Sequence, residues 1–498
     1  MSKKETEITK TKHAGQVFTP NFIVEAMLDY CGYRGELVLG KHVIDNSCGD
    51  GAFLKVIVRT YILAAKIHGL DKEEIKKHLA TFVHGVDNDK EAYLSCRENL
   101  CNVAAEYGID NVEWDLRYDN ALLLHDFDGR MDYVVGNPPY VRVHNLDASY
   151  EEVKRFKFAN GGMTDLYLAF FELGFRMLNA GGQLCYITPS SWLNSLAAYN
   201  MRQHILSHGM LVSLTDLGHF QAFENVTVYT LISHFSKKHT ENQFAYYIYN
   251  GSICERTFVA NLTLGNVHIN GYFYLGNLAQ LDLVRKVKSA HIPRYVSVKN
   301  GFATLADPIF IGNNVPQSPF TIKAIKASTG KWQKCLFPYS KAGKPLPENE
   351  VFANLDIKVY FEANKEKLLK GRTEFPGWYL FGRAQALADV WRPKLAVNTL
   401  VRNVHDFKLN ELAAGEGIYS GLYVITDCNI SFEQIKGIIA SDDFVEYVKM
   451  LRKYKSGGYY TFNSKDIEQF INYQISITDG KKYRLKQSVS YSYPDLFQ

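Results

Sequence analysis

Residues 43–54, VIDNSCGDGAFL, place a short apolar run before a turn with two glycines and a second apolar run after it. Glycine is required where a backbone turns sharply or approaches a ligand without an intervening Cβ. A helix that begins beside such a turn presents free N–H groups to a carboxylate or a phosphate. The segment therefore predicts a strand, a ligand-binding turn around Asp45, Cys48, Gly49 and Gly51, and then a helix.

Similar apolar runs recur along the first half of the chain, and each ends at Gly, Asn, Asp or Pro. They alternate with amphipathic helical segments, which indicates an α/β sheet covered on both faces. Ligands of open α/β sheets bind at the carboxyl ends of the strands, so the chemistry is expected there. The four runs are 42–45, 82–87, 131–136 and 183–188.

Two further patterns complete the expected sheet. Apolar residues at three-to-four-residue spacing predict a core helix over 164–178, ended by Gly181 and Gly182. Beyond it, the runs 210–217 and 226–235 predict an antiparallel hairpin that closes a parallel sheet.

Composition bounds the class of protein. A chain of 498 residues is expected to hold two or three domains, and its net charge of +4 is compatible with nucleic acid without arguing for it. The eight cysteines show no zinc-ligand spacing, and the first residues are polar, so no metal site, signal peptide or membrane anchor is expected. A soluble, cytoplasmic protein is predicted.

The domain boundaries are predicted from changes in composition and in secondary-structure pattern along the chain. Residues 1–14 are expected to form a flexible arm, and residues 15–240 the α/β domain. After residue 240 aromatic and basic clusters replace the βα alternation, so residues 241–498 are predicted to form a second domain.

Acidic residues stand at two other predicted strand ends. Asp87 directly follows an apolar run and can accept hydrogen bonds from both ribose hydroxyls of a nucleoside cofactor. Asp89 is expected to cap the next helix instead. Asp119, followed by Asn120, is a candidate acceptor for a cofactor's adenine amino group, and a solvated loop is an equal alternative. The G-x-G-x-x-G pattern of NAD sites is absent, whereas the carboxylate of S-adenosylmethionine suits the first turn.

The segment Asn137-Pro138-Pro139-Tyr140 carries most of the chemistry. Two prolines make the loop rigid just past a buried strand. The Asn137 side-chain oxygen and the Pro138 carbonyl can both accept from one NH₂ group, which favours a pyramidal nitrogen whose lone pair can attack a methyl group. Tyr140 offers a face on which a base can stack.

These motifs, in this order, resemble the gamma class of amino-methyltransferases in type II restriction–modification systems, of the TaqI-like and Eco57I-like sort. The resemblance covers roughly residues 15–236, beginning with GQVFTP at residues 15–20. It implies a Rossmann-like, seven-stranded, S-adenosylmethionine-dependent core with a C-terminal α+β target-recognition domain. It further implies transfer to the N6 amino group of adenine in duplex DNA by base flipping, since related cytosine enzymes more often carry Ser at the position of Asn137.

The resemblance also implies further site residues. Thr19 and Pro20 would close over the methionine end of the cofactor. Phe223 would form the second wall of the flipped-base pocket, with Phe220 as the alternate and a plain hairpin-core role as the competing interpretation.

In the C-terminal half the resemblance is looser, and it suggests DNA contacts at Arg383, Arg392 and Lys394, most of them to phosphate rather than to base edges. A cognate endonuclease, where one exists, is expected on a separate chain. The alternatives are a protein-glutamine or ribosomal RNA amino-methyltransferase, which use the same loop chemistry, and a DNA-binding protein with an inactive methylase core. The long C-terminal half disfavours the first two, and the intact motifs disfavour the third.

Overall fold

The computed structural model describes residues 19–143, 150–161, 164–223, 228–251, 256–289, 291–370 and 377–478. The chain divides into two compact units, Met1–Leu281 and Asp282–Gln498. The predicted arm at 1–14, and residues 15–18 of the GQVFTP segment, lie outside the described residues.

One large sheet forms the centre of the first unit. Its strands are β1 (Val43–Asp45), β2 (Val83–Asp87), β3 (Asp115–Tyr118), β4 (Met131–Gly136), β5 (Leu178–Pro189), β6 (Leu211–Asp216), β7 (Thr230–Ser236), β8 (Gln243–Tyr249) and β9 (Arg256–Thr263). They lie in the order β3-β2-β1-β4-β5-β7-β6-β8-β9. Neighbours from β3 to β5 pair in parallel, and β7 is antiparallel to both β5 and β6. The α/β class, with a large and mainly parallel sheet, is confirmed, as are the four predicted strand runs and the antiparallel pairing of β6 with β7. The expectation that this pair closes the sheet is wrong, because β8 and β9 continue the sheet beyond β6.

The sheet extends further along the chain than the sequence indicated. It has nine strands in the described residues where seven were expected, because β8 pairs in parallel with β6 and β9 pairs antiparallel with β8. Phe244 and Tyr246 of β8 are buried, so this aromatic cluster belongs to the core of the first unit. The division between compact units accordingly falls after Leu281, beyond the boundary expected after residue 240.

Helices cover the sheet. They are α1 (Asn21–Tyr30), α2 (Ala52–Ile67), α3 (Lys72–Phe82), α4 (Lys90–Ala105), α5 (Tyr150–Val153), α6 (Tyr167–Met177), α7 (Tyr199–His208) and α8 (Leu264–Val267), followed by the hairpin β10 (His268–Ile269) and β11 (Tyr272–Phe273). Helix α2 buries Phe53, Ile57 and Tyr61 on one stripe, and each such side chain contributes about 1.5–3 kcal/mol by leaving water. Helix α3 begins with a reciprocal cap between Asp71 and Glu74.

The predicted helix over 164–178 is confirmed as α6, but it does not end on its glycines. The backbone turns extended at Leu178 and enters β5 directly. A Cβ at Gly182 would lie 2.6 Å from the carbonyl oxygen of Met131, so this glycine permits the close approach of β5 to β4.

The second unit combines three smaller sheets with helices. Its strands are β12 (Val296–Asn300), β13 (Thr321–Lys326), β14 (Lys331–Leu336), β15 (Lys394–Val397), β16 (Leu400–Val401), β17 (Leu409–Leu412), β18 (Gly417–Tyr419), β19 (Leu422–Thr426), β20 (Tyr454–Lys455) and β21 (Tyr459–Thr461). Their orders are β12-β19-β15-β17, β14-β13-β18 and β16-β21-β20. The helices are α9 (Leu278–Val287, which crosses the boundary), α10 (Asp307–Phe310), α11 (Glu348–Val351), α12 (Leu355–Ala363), α13 (Lys365–Leu369), α14 (Phe432–Ile439), α15 (Asp442–Met450) and α16 (Ser464–Thr478).

Candidate functional site

The predicted site residues of the first unit meet at one edge of its sheet. Strand β1 lies between β2 and β4, all three in parallel, so their carboxyl ends are neighbours. Those ends carry Asp45, Asp87 and Asn137, which are distant in sequence. The sheet order therefore brings together the glycine turn after β1, the carboxylate of Asp87 and residues 137–140, which we call the NPPY loop. This proximity is expected of the ends of neighbouring parallel strands.

The turn after β1 is held by backbone hydrogen bonds. The Cys48 N–H donates to the Val86 carbonyl at 3.0 Å, which ties the turn to β2. Gly51 precedes α2 with φ of 87°, and a Cβ there would lie 2.8 Å from the Cys96 sulfur. Gly49 also has positive φ, at 53°. Both glycines are thus required by conformation, and Gly51 by space as well.

Asp87 joins this turn to the end of β2. One carboxylate oxygen accepts from the Gly49 N–H at 2.8 Å and the other from the Asp89 N–H at 2.9 Å. Each oxygen has a second lone pair, so the carboxylate can still accept from two hydroxyls. Burial raises the pKa of Asp87, while the backbone N–H donors of Asp89 and Gly49 oppose the rise. Asp89 caps α4 by accepting from the Ala92 N–H, as expected.

Asp45 is the most deeply buried acid of the edge, with 2% of its surface exposed. Burial raises the pKa of Asp45 to about 8, and the negative charges of Asp87 and Asp50 add to the rise. The Ser47 N–H donates to Asp45 at 3.1 Å and lowers the pKa. A carboxyl group in this setting is stabilised in its ionised form by an arriving cation.

Asp119 and Asn120 lie beside the end of β2 but differ in their surroundings. Asp119 is exposed, and its backbone N–H donates to the Asp87 carbonyl at 3.0 Å. Asn120 accepts from the Leu122 N–H and donates its side-chain amide to Glu152 at 2.7 Å. Asp119 is therefore accessible to a ligand at this edge, whereas Asn120 already has protein partners.

The NPPY loop begins at a glycine that no other residue can replace without strain. Gly136 has φ of 153°, and a Cβ there would lie 2.7 Å from a carboxylate oxygen of Asp45. Asn137 follows, and its amide nitrogen donates to the Thr19 hydroxyl at 3.1 Å across 118 residues of sequence. This bond uses the NH₂ end of the amide and so orients the amide group.

Thr19 acquires a role that the sequence did not suggest. The motif placed Thr19 and Pro20 beside the cofactor, and the structure places the buried Thr19 hydroxyl on Asn137 itself. The Pro20 carbonyl accepts from the Ile23 and Val24 N–H groups in the first turn of α1. No sequence signal pairs Thr19 with Asn137, because the contact depends on how α1 packs.

Tyr140 stands against Phe223 rather than Phe220. The Tyr140 and Phe223 ring centroids are 6.1 Å apart with the planes at 61°, and the Tyr140 hydroxyl donates to the Ile187 carbonyl at 3.1 Å. Phe220 contacts Phe22 and Tyr249 instead. A base stacked between two ring faces needs them roughly 7 Å apart and parallel, twice an ordinary carbon–carbon contact. The two rings are edge to face here, so a base enters only if one ring turns.

The three basic candidates of the second unit differ in exposure. Arg383 and Arg392 are exposed, and Arg392 lies 3.8 Å from Asp389. Lys394 is 1% exposed, and its ammonium group donates to the carbonyls of Asp389, Val390 and Arg392 at 3.0 Å each. The expectation of a DNA contact at Lys394 is corrected, because all three N–H groups serve the protein's own backbone. Burial lowers the pKa of Lys394 to about 8.

Among the described residues, no helix is both long enough and apolar enough to cross a membrane.

Comparison with known proteins finds a related family for the part of the first unit that includes Asp87 and Asn137. Residues 56–223 match the family described as Eco57I restriction-modification methylase. Type II methyltransferase M.BstVI of Geobacillus stearothermophilus is 29% identical over 44% of this chain and 41% of its own length. Type II restriction enzyme and methyltransferase RM.Eco57I of Escherichia coli is 21% identical over 85% of this chain and 53% of its own length. The chain thus spans about two fifths to one half of these relatives.

Solved structures show the same fold. The type IIL restriction-modification enzyme MmeI in complex with DNA matches with a TM-score of 0.59 and 13% identity, over 89% of this chain and 63% of that one. A nuclease-deletion mutant of the type ISP enzyme LlaGI, in complex with a DNA substrate mimic, matches with a TM-score of 0.52 and 12% identity, over 93% and 47%. At such identities the likeness concerns the fold alone.

Proposed function

From the premise that the chain contains an Eco57I-type restriction-modification methylase domain, we propose that it transfers a methyl group from S-adenosylmethionine to the N6 amino group of adenine in duplex DNA. The observation that supports this proposal most directly is the position of Asn137. Thr19 orients its amide, and it lies at the sheet edge that also holds Asp45 and Asp87. In this proposal the first unit is catalytic, and the second unit recognises the target sequence.

The residues of the edge fit the proposed cofactor by the chemistry of their donors and acceptors. Asp87 retains acceptor capacity for a ribose diol, and the exposed Asp119 can accept from an adenine amino group. The buried Asp45 suits the cationic end of a methionine moiety, next to the glycine turn before α2. When bound, S-adenosylmethionine supplies an electrophilic methyl group on a sulfonium, so no metal is called for.

The chain's own residues prepare the target amine. The Asn137 side-chain oxygen and the Pro138 carbonyl accept from the two hydrogens of the amino group, which directs the nitrogen lone pair out of the ring plane. Tyr140 and Phe223 hold the extruded base from its two faces, once one of the two rings has turned. Prolines at 138 and 139 keep the acceptors fixed, so little reorganisation accompanies the reaction.

A direct test uses the purified chain, S-adenosylmethionine with a labelled methyl group, and duplex DNA from bacteria that lack the gene for this protein. Nucleosides from the digested DNA should carry the label in N6-methyldeoxyadenosine alone. Label in cytosine would refute the assignment, as would label in RNA or protein supplied in separate reactions while the DNA stays unlabelled. Modified-base sequencing of host DNA with and without the gene would then give the recognition sequence.

Cofactor binding should release a proton near neutral pH. With a pKa of about 8, Asp45 is mostly protonated at pH 7 in the free protein, and a cationic amine beside it lowers that pKa. Close to one proton should leave per molecule bound at pH 7, falling towards none above pH 9, where Asp45 is already ionised. Calorimetry in buffers of different ionisation enthalpy measures this number.

The matched variant for this measurement is Asp45→Asn, which has a similar shape and no titration. It should bind without the release that is specific to wild type. Equal proton release by the two proteins would contradict the placement of the cationic end at Asp45.

Stacking on Tyr140 can be separated from its hydrogen bond. Tyr140→Phe keeps the ring and loses only the bond to the Ile187 carbonyl, whereas Tyr140→Ala loses the face. Base–aromatic stacking contributes about 1–3 kcal/mol, so Tyr140→Ala should weaken binding of DNA with 2-aminopurine at the target by roughly five- to a hundredfold. The fluorescence change of the 2-aminopurine on binding should be smaller with Tyr140→Ala than with wild type. Tyr140→Phe should match wild type in both affinity and fluorescence. Similar fluorescence titrations for all three proteins would exclude the stacking role.

A further inference from the structure

Positive charge is concentrated in one segment of the second unit. Residues 308–347 contain six lysines and neither Asp nor Glu, in a chain whose net charge is only +4. Four of the six, Lys323, Lys326, Lys331 and Lys334, lie on the hairpin of β13 and β14. The charge of this segment, +6, is therefore larger than the net charge of the whole chain.

The register of the hairpin sets these lysines directly against one another. Lys323 is paired with Lys334, and Lys326 with Lys331, across the antiparallel ladder. Directly opposed side chains have Cβ atoms about 4.5–5.5 Å apart, and like charges in that position destabilise a sheet. A fold that keeps two such pairs on one hairpin carries repulsion that an external anion would relieve.

Neighbouring groups of the protein do not provide that anion. Within the described ranges, none of the four lysines lies within 4.0 Å of a carboxylate. Lys323, Lys331 and Lys334 are exposed. Trp332, which lies on β14 between the last two, is 39% exposed. By contrast, Lys436 and Lys449 on α14 and α15 each pair with a glutamate at 2.7 Å.

We propose that the hairpin of β13 and β14 is a phosphate-binding surface for the backbone of duplex DNA. This proposal rests on the proposed function, which makes DNA the polyanion that the chain meets. The two opposed pairs lie three residues apart, about 10 Å along the strands. Because side chains alternate between the faces of a strand, Lys323 and Lys334 lie on one face of the hairpin and Lys326 and Lys331 on the other, so each pair can contact a phosphate of a backbone that runs past its own face. Lysine contacts to phosphate position a protein on DNA and carry no sequence information.

A competing explanation is protection of a sheet edge. Strand β14 lies at the edge of the sheet β14-β13-β18, and lysines on edge strands discourage pairing with other chains. That explanation covers Lys331 and Lys334 but not Lys323 and Lys326, which lie on the central strand β13. It also predicts self-association of a neutralised variant, which binding to DNA does not.

The test compares the full-length double variants Lys323→Gln/Lys334→Gln and Lys326→Gln/Lys331→Gln with the control Lys436→Gln/Lys449→Gln, which removes the same charge. Affinity for a fluorescent duplex is measured over a range of salt concentrations. Each lost phosphate contact should reduce the slope of log affinity against log salt by about 0.9 and weaken binding roughly tenfold at 0.1 M salt. The reduction should be the same for duplexes with and without a methylation site.

Folding and cofactor binding are controlled separately. The hairpin variants lose a repulsive pair, so their melting temperatures should equal or exceed that of wild type, and S-adenosylmethionine should bind as before. A slope and affinity equal to those of the control for both hairpin variants, with or without aggregation, would overturn the proposal while leaving methyl transfer untouched. A wild-type chain that binds duplex through these lysines but never methylates it would overturn the proposed function instead, and no duplex binding at all would overturn both.

Discussion

Asn137→Ala is expected to lower the rate of methyl transfer about a hundred- to a thousandfold while leaving the affinity for S-adenosylmethionine within a few-fold of wild type. Removal of one preorganised polar group aimed at a reacting centre typically costs that much in kcat. The side-chain oxygen is the group lost, and the hydrogen bond from the Asn137 amide nitrogen to the Thr19 hydroxyl orients the amide that carries it. Single-turnover transfer of a labelled methyl group, with calorimetry of cofactor binding, measures both quantities.

Two further variants make the result specific. Asn102→Ala, an exposed position on α4, should be indistinguishable from wild type. Thr19→Val retains the acceptor oxygen of Asn137 but removes the hydroxyl that orients the amide, so it should lower kcat by a smaller factor. Activity of Asn137→Ala within a few-fold of wild type would show that the NPPY loop does not hold the reacting amine.

Gly136→Ala should have the second large effect, on stability and activity together. At φ of 153° an alanine is strained by about 1–3 kcal/mol, and its Cβ would lie 2.7 Å from the Asp45 carboxylate. The loop must therefore move, which displaces Asn137. A displacement of about 1 Å can reduce a rate roughly a hundredfold, and urea unfolding with a methyl-transfer assay would record both losses.

The matched control for this change is Gly129→Ala. Gly129 also has positive φ, at 69°, but a Cβ there has nothing within 4 Å. It precedes β4, whereas Gly136 ends it, so the control carries backbone strain without displacing the loop. If the two variants lost activity equally, the close approach of Gly136 to Asp45 would not be what positions Asn137.

Local patterns in the sequence were sufficient for much of the candidate site. Strand ends are marked by an apolar run followed by Asp, Asn or Gly, and this pattern alone singles out Asp45, Asp87 and Asn137. Parallel sheets place such ends on one edge, so their proximity also followed from the pattern. The chemical roles given to these residues stay predictions that the proposed variants would test, and the functional limits of the domains stay predictions as well.

The sequence pattern did not predict which basic side chains of the second unit are buried and which are exposed. Lys394 looked like a DNA contact in the sequence, yet its ammonium group is buried against three carbonyls. Arg383 and Arg392, from the same stretch, are exposed. A lysine's surroundings depend on where distant segments pack, which composition does not encode.

The sequence by itself determined the α/β class, the glycine turn and the rigid NPPY loop, because these depend on residues that are neighbours along the chain. Only the tertiary structure decided that Thr19 binds Asn137 across 118 residues and that Phe223 rather than Phe220 faces Tyr140. It alone decided the strand register that sets lysine against lysine on β13 and β14. Such contacts arise from packing between segments far apart in sequence, whereas turns, caps and strand ends are set by the local backbone.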